Sequence, residues 1–299
     1  MTAPGILLVD KPGGVTSHDV VARARRALGT RKIGHAGTLD PMATGLLVLG
    51  VEGATRLLTF VVGLDKTYEA TIRLGVATET DDADGRTVST TDAAHLGDGE
   101  IAPAIAALTG RISQIPSTYS AIKVDGRRAY DLARAGEDVQ LKAREVMVSR
   151  FDVLARRTWT TEEGSGIDLD VVVDCSSGTY IRSLARDLGA ALGVGGHLTA
   201  LRRTRIGPFA VGDAVAVDAI AEAPLLSPAA AAAAVLGRFD VTADEARDLR
   251  HGKRLTGAAT RLPASPVAAI APDGALVGIV EKRGADVKSA MNMPEEASA

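Results

Sequence analysis

The fold is decided by the stretch GHAGTLDPMATG at residues 34–45, which leads into the apolar run LLVLG at residues 46–50. Three glycines mark the first stretch as a loop. The residue before a proline is kept out of the α region, so we expect Asp40 to be extended or in a turn. The apolar run predicts a buried strand. A carboxylate held on a loop beside a core strand is a candidate catalytic group, although an Asx turn explains the same pattern.

The composition is that of a soluble globular protein, with 46% hydrophobic and 24% charged residues among 299. This length suits one large domain and a smaller one. We find no apolar run near the roughly 20 residues that span a bilayer, and we expect no secretory signal. The single cysteine, Cys175, excludes an intramolecular disulfide and a multi-cysteine metal site. A cytoplasmic protein fits these features.

The charges are distributed unevenly along the chain. Residues 1–60 carry seven Lys/Arg against four Asp/Glu, residues 61–199 carry 15 against 21, and residues 200–299 balance at 12 each. A net charge of −3 argues against a protein that simply coats nucleic acid. Residues 23–32, however, contain five basic residues and no acid. A basic patch beside the candidate loop indicates an anionic substrate such as a polynucleotide, although a solvated helix face has the same composition.

Hydrophobic periodicity predicts an α+β protein with a mixed, largely antiparallel sheet flanked by helices. The predicted strands cover residues 6–9, 46–50, 66–75, 146–154, 167–173, 267–271 and 276–280, with a polar connection at 156–166. One predicted helix begins at Thr16-Ser17 and ends at Gly29. Further helices are predicted at residues 101–108, 130–135, 179–192 and 243–249. An alanine-rich segment at residues 224–235 marks a domain boundary. We therefore predict a catalytic domain at 1–232, a small β-rich domain at 233–292 and a tail at 293–299.

Motif searches exclude several kinds of chemistry. The chain has no GxxxxGK[ST] phosphate loop, no GxGxxG after the first strand and no GxSxG nucleophile elbow. Its five histidines lack the spacing of metal ligands. We therefore predict no metal and no cofactor. What remains is Asp40, together with polar and aromatic segments at the edges of core elements, namely KTY at residues 66–68 and SGTYIRSL at residues 177–184.

Five motifs in this order strongly resemble the bacterial TruB family of tRNA pseudouridine synthases. They are VDKP (9–12), GHAGTLDPMATG (34–45), KTY (66–68), CSSGTYIR (175–182) and LRRT (201–204). The resemblance covers about residues 5–222 and implies a pseudouridine synthase-type fold. It also implies an isomerase that acts on the T-loop uridine numbered 55, without metal or cofactor. Residues 233–292 look more weakly like a PUA-type RNA-binding domain.

The resemblance assigns catalytic roles to three residues. The family breaks the bond between base and ribose, turns the base, and joins its C5 to the sugar. Asp40 matches the essential aspartate, which is ionised and either attacks ribose C1′ or uracil C6 or assists glycal formation. Arg182 matches the arginine that pairs with this aspartate and keeps it deprotonated. Tyr68 matches the tyrosine that stacks on the target base.

Further residues match the substrate-binding positions of the family. Tyr180 and Leu201 match residues that line the uracil pocket. His35 matches the residue that inserts into the T-loop where the flipped uridine was. We expect Lys11 and Lys66, with the basic patch at 23–32, to contact phosphates. The expected partner is the T stem-loop of tRNA, and we expect a monomer without an obligate protein partner or a membrane.

Two other classes of function remain as alternatives. One is a non-catalytic RNA-binding or RNA-folding protein that kept the fold, and the presence of Asp40, Tyr68 and Arg182 argues against it. The other is a nucleoside hydrolase or base glycosylase, which also uses a carboxylate at C1′. Isomerisation changes no mass and releases no free uracil, so the products distinguish the two reactions.

Overall fold

The computed structural model describes residues 2–294 except 121, 125, 136, 138 and 163. Most of the predicted tail, from residue 295 onward, lies outside the described residues. Within the described part, no helix is both long enough and apolar enough to cross a membrane. The chain forms two compact units. The first comprises Met1–Pro41, Gly45–Gly63 and Gly207–Ala299, and the second comprises Met42–Thr44 and Leu64–Ile206.

Helices and strands are interspersed along the chain, as expected for the α+β class. The helices are α1 (Ser17–Ala27), α2 (Leu58–Val62), α3 (Asp98–Ala107), α4 (Ala129–Arg134), α5 (Ile181–Ala191), α6 (Pro228–Leu236) and α7 (Ala243–Arg250). The strands are β1 (Gly5–Lys11), β2 (Ile33–Ala36), β3 (Thr44–Val51), β4 (Lys66–Leu74), β5 (Val76–Thr78), β6 (Thr87–Thr90), β7 (Gly110–Gln114), β8 (Lys123–Val124), β9 (Arg127–Arg128), β10 (Arg144–Thr161), β11 (Gly164–Cys175), β12 (Gly196–Ile206), β13 (Phe209–Ala210), β14 (Val215–Ala216), β15 (Arg238–Asp240), β16 (Val267–Ile270), β17 (Leu276–Arg283) and β18 (Asp286–Asn292).

In the first unit, β1 lies between β3, which is antiparallel to it, and β14, which is parallel to it. The strand predicted after Gly45 is confirmed as β3, and its core residues are fully buried. The predicted helix start is also confirmed, because Thr16 and Asp19 form a reciprocal capping box. One face of α1 packs on the apolar side of β1 and β3. This packing fixes the start of α1 against the strands that flank the candidate loop.

The first part of the predicted loop is a strand instead. Residues 33–36 form β2, which pairs antiparallel with β3. Ile33 and Ala36 are buried on this strand, whereas Gly34 and His35 are half-buried. The glycines led us to predict a loop, but pairing with the apolar β3 satisfies the backbone of this segment. The loop that carries Asp40 is therefore shorter than predicted.

The first unit also contains a four-stranded sheet in the order β15-β16-β17-β18, with its own apolar core. The predicted strands at 267–271 and 276–280 are confirmed as β16 and β17, and the predicted helix at 243–249 as α7. We did not predict β18, because its sequence DVKSAMN alternates only weakly. The alanine-rich segment forms α6, capped by the Ser227 hydroxyl. The boundary at residue 232 stays a prediction.

In the second unit, antiparallel strands follow the order β12-β4-β11-β10-β7. The strand predicted at 66–75 is confirmed as β4. The polar connection predicted at 156–166 is wrong, since β10 and β11 continue through it as a long hairpin. Cross-strand contacts stabilise this polar hairpin: Arg157 pairs with Asp170, and the Arg73 guanidinium lies 5.0 Å from the Trp159 ring centroid. The predicted mixed, largely antiparallel α+β fold is confirmed.

Candidate active site

Asp40 lies on the loop between β2 and β3, and the residue before it is held by a side chain of α1. The Leu39 N–H donates a hydrogen bond of 2.9 Å to the Ser17 Oγ, which donates one of 3.2 Å to the Leu39 carbonyl oxygen. Ser17 and Leu39 are both buried, so bulk water does not compete for these bonds. Because Ser17 opens α1, the position of the helix sets the position of the loop.

The residue after Asp40 is held from the end of β1. The Pro41 carbonyl oxygen accepts hydrogen bonds from the Lys11 Nζ at 3.2 Å and from the Gly14 N–H at 2.9 Å. The same Nζ donates to the carbonyl oxygens of Pro12 at 2.9 Å and Val15 at 2.7 Å. The backbone is thus fixed on both sides of the half-buried Asp40. A carboxylate held in this way requires little ordering when a substrate arrives.

Burial argues against the phosphate contacts of Lys11 and Lys66, which stay a prediction. Lys11 is 0% exposed and Lys66 is 6% exposed. The Lys66 Nζ donates to the Leu64 carbonyl oxygen at 2.6 Å. Burial, reinforced by the positive charge of Arg203, lowers the pKa of Lys66 to about 8. Both ammonium groups bind backbone carbonyls inside the protein, so they hold loops in place and do not offer their charge to an external phosphate.

His35 is placed by β2 and contacts a second histidine. Its ring meets the ring of His18 edge to face, with centroids 5.4 Å apart and planes at 84°. His18 is exposed in the first turn of α1. Aromatic rings prefer such an edge-to-face arrangement. His35 therefore lies on a strand and Asp40 on the following loop, both in the first unit.

Tyr68 and Leu201 share one face of the second unit's sheet. Tyr68 on β4 lies opposite Arg203 of β12, and Leu201 lies opposite Ala70. Cross-strand partners of an antiparallel pair point to the same face, and so do residues two apart on a strand. Tyr68 and Leu201 are each 8% exposed. This register brings Tyr68 and Leu201 to the same face of the sheet, while their role in binding uracil stays a prediction.

The backbone of Tyr180 is fixed by a residue that the sequence analysis missed. Gln114 at the end of β7 accepts from the Tyr180 N–H at 2.8 Å and donates to its carbonyl oxygen at 3.0 Å. Gln114 is almost completely buried. Tyr180 is the N-cap of α5 and has no side-chain cap of its own. The amide of Gln114 thus sets where α5 begins and where the half-buried Tyr180 lies.

Arg182, in the first turn of α5, joins two loops of the second unit. Its guanidinium lies 3.4 Å from the Asp82 carboxylate, and both residues are 4% exposed. It also donates to the carbonyl oxygens of Thr80 at 2.7 Å and Tyr119 at 2.8 Å. A buried guanidinium requires such carbonyl and carboxylate partners. The predicted pairing of Arg182 with Asp40 stays a prediction.

A second ion pair lies one helical turn further along α5. Arg186 is 3.4 Å from the Asp81 carboxylate and donates to the Ile115 carbonyl oxygen at 2.7 Å. Burial raises the pKa of the Asp81 carboxyl, although Arg186 opposes this shift. Asp81 adopts a left-handed backbone with φ of +61°. The acidic segment at residues 79–85 therefore anchors α5.

The sequence does contain a pattern that could have predicted the Arg182–Asp82 and Arg186–Asp81 ion pairs. Two arginines four residues apart lie on one side of a helix, and two adjacent acids in a glycine-containing loop are available to meet them. No role for these acids was predicted from the sequence, because charged loop residues are usually exposed. Their burial depends on α5 covering a loop that is about a hundred residues earlier in the chain, and this arrangement is not a local property.

Comparison with known proteins identifies the family. Residues 25–181 match the family model described as "TruB family pseudouridylate synthase (N terminal domain)". Residues 182–239 match "tRNA pseudouridylate synthase B C-terminal domain", and residues 236–294 match "tRNA Pseudouridine synthase II, C terminal". The chain belongs to the TruB family. The resemblance read from the five motifs is confirmed.

Relatives within the TruB family match over nearly the whole chain. A protein of Leifsonia xyli subsp. xyli (strain CTCB07), named tRNA pseudouridine synthase B, is 56% identical over 99% of this chain and 98% of its own length. A protein of Nocardia farcinica (strain IFM 10152) with the same name is 57% identical over 94% of this chain and 90% of its own length.

Solved structures support the fold of this TruB-family chain. A chain in "Structure of H/ACA RNP bound to a substrate RNA containing 2'-deoxyuridine" matches with a TM-score of 0.69 and 23% identity, over 97% of this chain and 85% of that one. A chain in "Crystal Structure of a Cbf5-Nop10-Gar1 Complex" matches with a TM-score of 0.67 and 24% identity, over 98% and 84%. At this level of identity, the likeness concerns the fold alone.

Proposed function

We propose that this TruB-family chain isomerises uridine to pseudouridine in tRNA, at position 55 of the T-loop. The observation that carries the proposal is the identity of 56% over 99% of the chain with a relative named tRNA pseudouridine synthase B. The geometry of the candidate site is compatible with this chemistry. The reaction needs a fixed acid, an aromatic surface for the base and a counter-charge, and these residue types occupy the matching positions.

Asp40 is the group that starts the reaction in this proposal. It acts as a carboxylate, by attack at ribose C1′, by attack at uracil C6 or by assisting glycal formation. The hydrogen bonds that Ser17 and Lys11 make to the adjacent residues support this role. A nucleophile that is already in position avoids part of the entropic cost of the attack.

The remaining site residues bind and orient the nucleotide. Tyr68 stacks on the uracil, a contact worth about 1–3 kcal/mol. Tyr180 and Leu201 line the uracil pocket, and Arg182 provides the positive charge that keeps Asp40 ionised. His35 fills the space that the flipped uridine leaves in the T-loop. The burial of Tyr68 and Leu201 on one sheet face supports a binding surface of low polarity.

We assign the reaction to a catalytic domain at residues 1–232, and RNA contacts outside the target nucleotide to a PUA-like domain at 233–292. The four-stranded sheet β15–β18 with its own core supports a separate C-terminal fold. The chain works in the cytoplasm as a monomer, without metal, cofactor or obligate protein partner.

The test is an assay on an unmodified T-arm stem-loop. Pseudouridine is detected by carbodiimide labelling after incubation with the wild type, with Asp40→Asn and with the control Asp273→Asn. Asp273 also lies beside a proline, but it is exposed in a turn of the C-terminal sheet. We expect full activity in the control and no product with Asp40→Asn, while binding of the stem-loop persists. Turnover by Asp40→Asn would rule out the proposed role of Asp40.

The same assay separates the alternative functions. An isomerase produces RNA of unchanged mass and no free uracil, whereas a glycosylase or nucleoside hydrolase releases the base. A non-catalytic RNA-binding protein produces neither pseudouridine nor uracil. Mass spectrometry of the RNA and chromatography of the small-molecule fraction therefore decide among the three.

A further inference from the structure

Three arginines at the end of α1 line a depression on the protein surface. Arg25 and Arg26 are in the last turn of the helix, and Arg31 follows it. With Ala22, Gly29 and Thr30 they surround a volume of about 540 Å³. Gly29 allows this geometry, because its φ of +63° turns the chain back toward the helix. We call Arg25, Arg26 and Arg31 the arginine cluster.

The three arginines of the cluster have no acidic partners among the described residues. Within residues 2–294 as described, none of the three has a carboxylate oxygen within 4.0 Å. Elsewhere in the first unit, Arg238 pairs with Asp240, Arg247 with Asp244, and Arg283 with Glu281, at 2.7–2.8 Å. Glu52, which accepts a hydrogen bond from the Thr30 hydroxyl at the depression, is also bound by Lys32. Three like charges without a partner repel one another, so the folded protein does not gain from placing them together.

The helix dipole explains only part of this placement. Cations near a helix C-terminus gain about 0.3–1 kcal/mol, which accounts for Arg25 and Arg26. Arg31 lies beyond the helix, and the dipole effect falls off within the last turn. Arg25 is also bound to the protein, since it donates to the Ile33 carbonyl oxygen at 2.9 Å. This bond orients one guanidinium at the edge of the depression, while all three remain exposed.

We propose that the arginine cluster binds backbone phosphates of the T-arm, close to the target nucleotide. The planar fork of a guanidinium matches the oxygens of a phosphate. The location follows from the chain: Arg31 is four residues before His35, so their backbones are at most about 14 Å apart. This inference rests on the proposed function, in which His35 enters the T-loop. In this proposal, the phosphate contacts come from the arginine cluster and not from the buried Lys11 and Lys66.

The test compares two triple variants with equal changes of charge. The first carries Arg25→Gln, Arg26→Gln and Arg31→Gln. The matched control carries Arg86→Gln, Arg111→Gln and Arg150→Gln, which removes three exposed arginines that lie outside the C-terminal domain and are already paired with Glu79, Glu145 and Asp152. Fluorescence anisotropy measures binding of the isolated T-arm stem-loop across a series of salt concentrations. Circular dichroism and urea unfolding check that both variants are folded.

We expect the cluster variant to bind about tenfold more weakly at 0.1 M salt. The slope of log K against log salt should shrink by about 0.7–0.9 for each phosphate that the variant no longer binds. The control should keep both the affinity and the slope of the wild type. An unchanged slope in the cluster variant, or an equally weakened control, would overturn the proposal. Weaker binding seen only with full-length tRNA would also overturn it, because the phosphates would then lie outside the T-arm.

A failure of this proposal is distinguishable from a failure of the proposed function. Single-turnover rates with saturating enzyme report the chemical step alone. If the proposed function holds, the wild type and the control variant form pseudouridine at the same saturated rate. Absence of pseudouridine with the wild type would disprove the proposed function, whereas the salt slopes test the arginine cluster separately.

Discussion

The Arg182 guanidinium lies 3.4 Å from the Asp82 carboxylate, and the two residues are buried to the same degree. Around this pair, Arg182 reaches the carbonyls of Thr80 and Tyr119, so one side chain ties two loops to the start of α5. The residue that the family resemblance marks as catalytic is therefore also a structural anchor. Its position depends on an acid that no motif pointed to.

Removal of Asp82 should destabilise the protein more than removal of its exposed neighbour. Asp82→Ala leaves the Arg182 charge buried without its carboxylate partner, and we expect a loss of about 3 kcal/mol in the free energy of unfolding. Asp84→Ala removes an exposed carboxylate two residues away, and should cost less than about 0.5 kcal/mol. Urea denaturation measures both values. Equal stabilities of the two variants would show that the pair contributes nothing.

Replacement of Lys11 distinguishes a loop anchor from a phosphate contact. Lys11→Met keeps the buried stem but removes the donor for the carbonyls of Pro12, Val15 and Pro41. Since a buried acceptor without a donor costs about 1–3 kcal/mol, we expect a loss of this size in stability. Because the loop of Asp40 loosens, kcat should fall about tenfold with little change in KM. A phosphate contact predicts the reverse, a higher KM at unchanged kcat.

Ser17→Ala should have the same kind of effect on stability and kcat as Lys11→Met, but a smaller one. It removes the two hydrogen bonds to Leu39 on the other side of Asp40, against three hydrogen bonds removed by Lys11→Met. We expect a loss of about 1–2 kcal/mol in stability and a smaller decrease in kcat. A decrease in kcat for both variants, without a change in the salt dependence of binding, identifies the loop as their common target.

The features that were predictable from the sequence are those that depend on residues close together in the chain. The bounds of β4 were predictable because alternation is visible within nine residues, and the α1 cap because Thr16 and Asp19 are three apart. Asp40 was identifiable from its proline and from the family motif. By contrast, the burial of Lys11 and Asp82 was not predicted. Asp82 is paired with Arg182, about 100 residues later in the chain, and the Lys11 Nζ donates to the carbonyl of Pro41, 30 residues later, so neither contact is visible in a local pattern.

The outer half of the β10–β11 hairpin was not predicted, for a different reason. This half, around Arg157 and Trp159, has no apolar run, so periodicity indicated a connection. The strands persist because Arg157 of β10 pairs with Asp170 of β11, and because the guanidinium of Arg73, on the neighbouring β4, packs on the Trp159 ring. These pairs form only after the register is set, so the residues of one strand alone do not reveal them.

The buried Lys66 should make stability depend on pH at the alkaline end. Its pKa is about 8 in the folded chain against an ordinary value of 10.5, so the unfolded chain binds more protons between these values. Stability therefore rises as pH increases through this window, by at most about 3 kcal/mol from this group. We expect Lys66→Met to lack this rise, and the exposed Lys282→Met to retain it. Urea denaturation at pH 7.5, 9 and 10.5 measures it, and parallel curves for all three proteins would contradict the prediction.

The edge-to-face contact of His18 with His35 should affect RNA binding through ring orientation. His18→Ala removes the ring that packs on His35, and an aromatic contact of this kind is worth about 0.5–1.5 kcal/mol. If His35 enters the T-loop, its loss of order should weaken stem-loop binding about two- to tenfold. His18→Phe keeps an aromatic edge at the same place, so it should restore most of the affinity. The exposed His95→Ala serves as the control, and anisotropy with the stem-loop measures all four proteins. Equal affinities of His18→Ala and His18→Phe would show that the ring of His18 does not position His35.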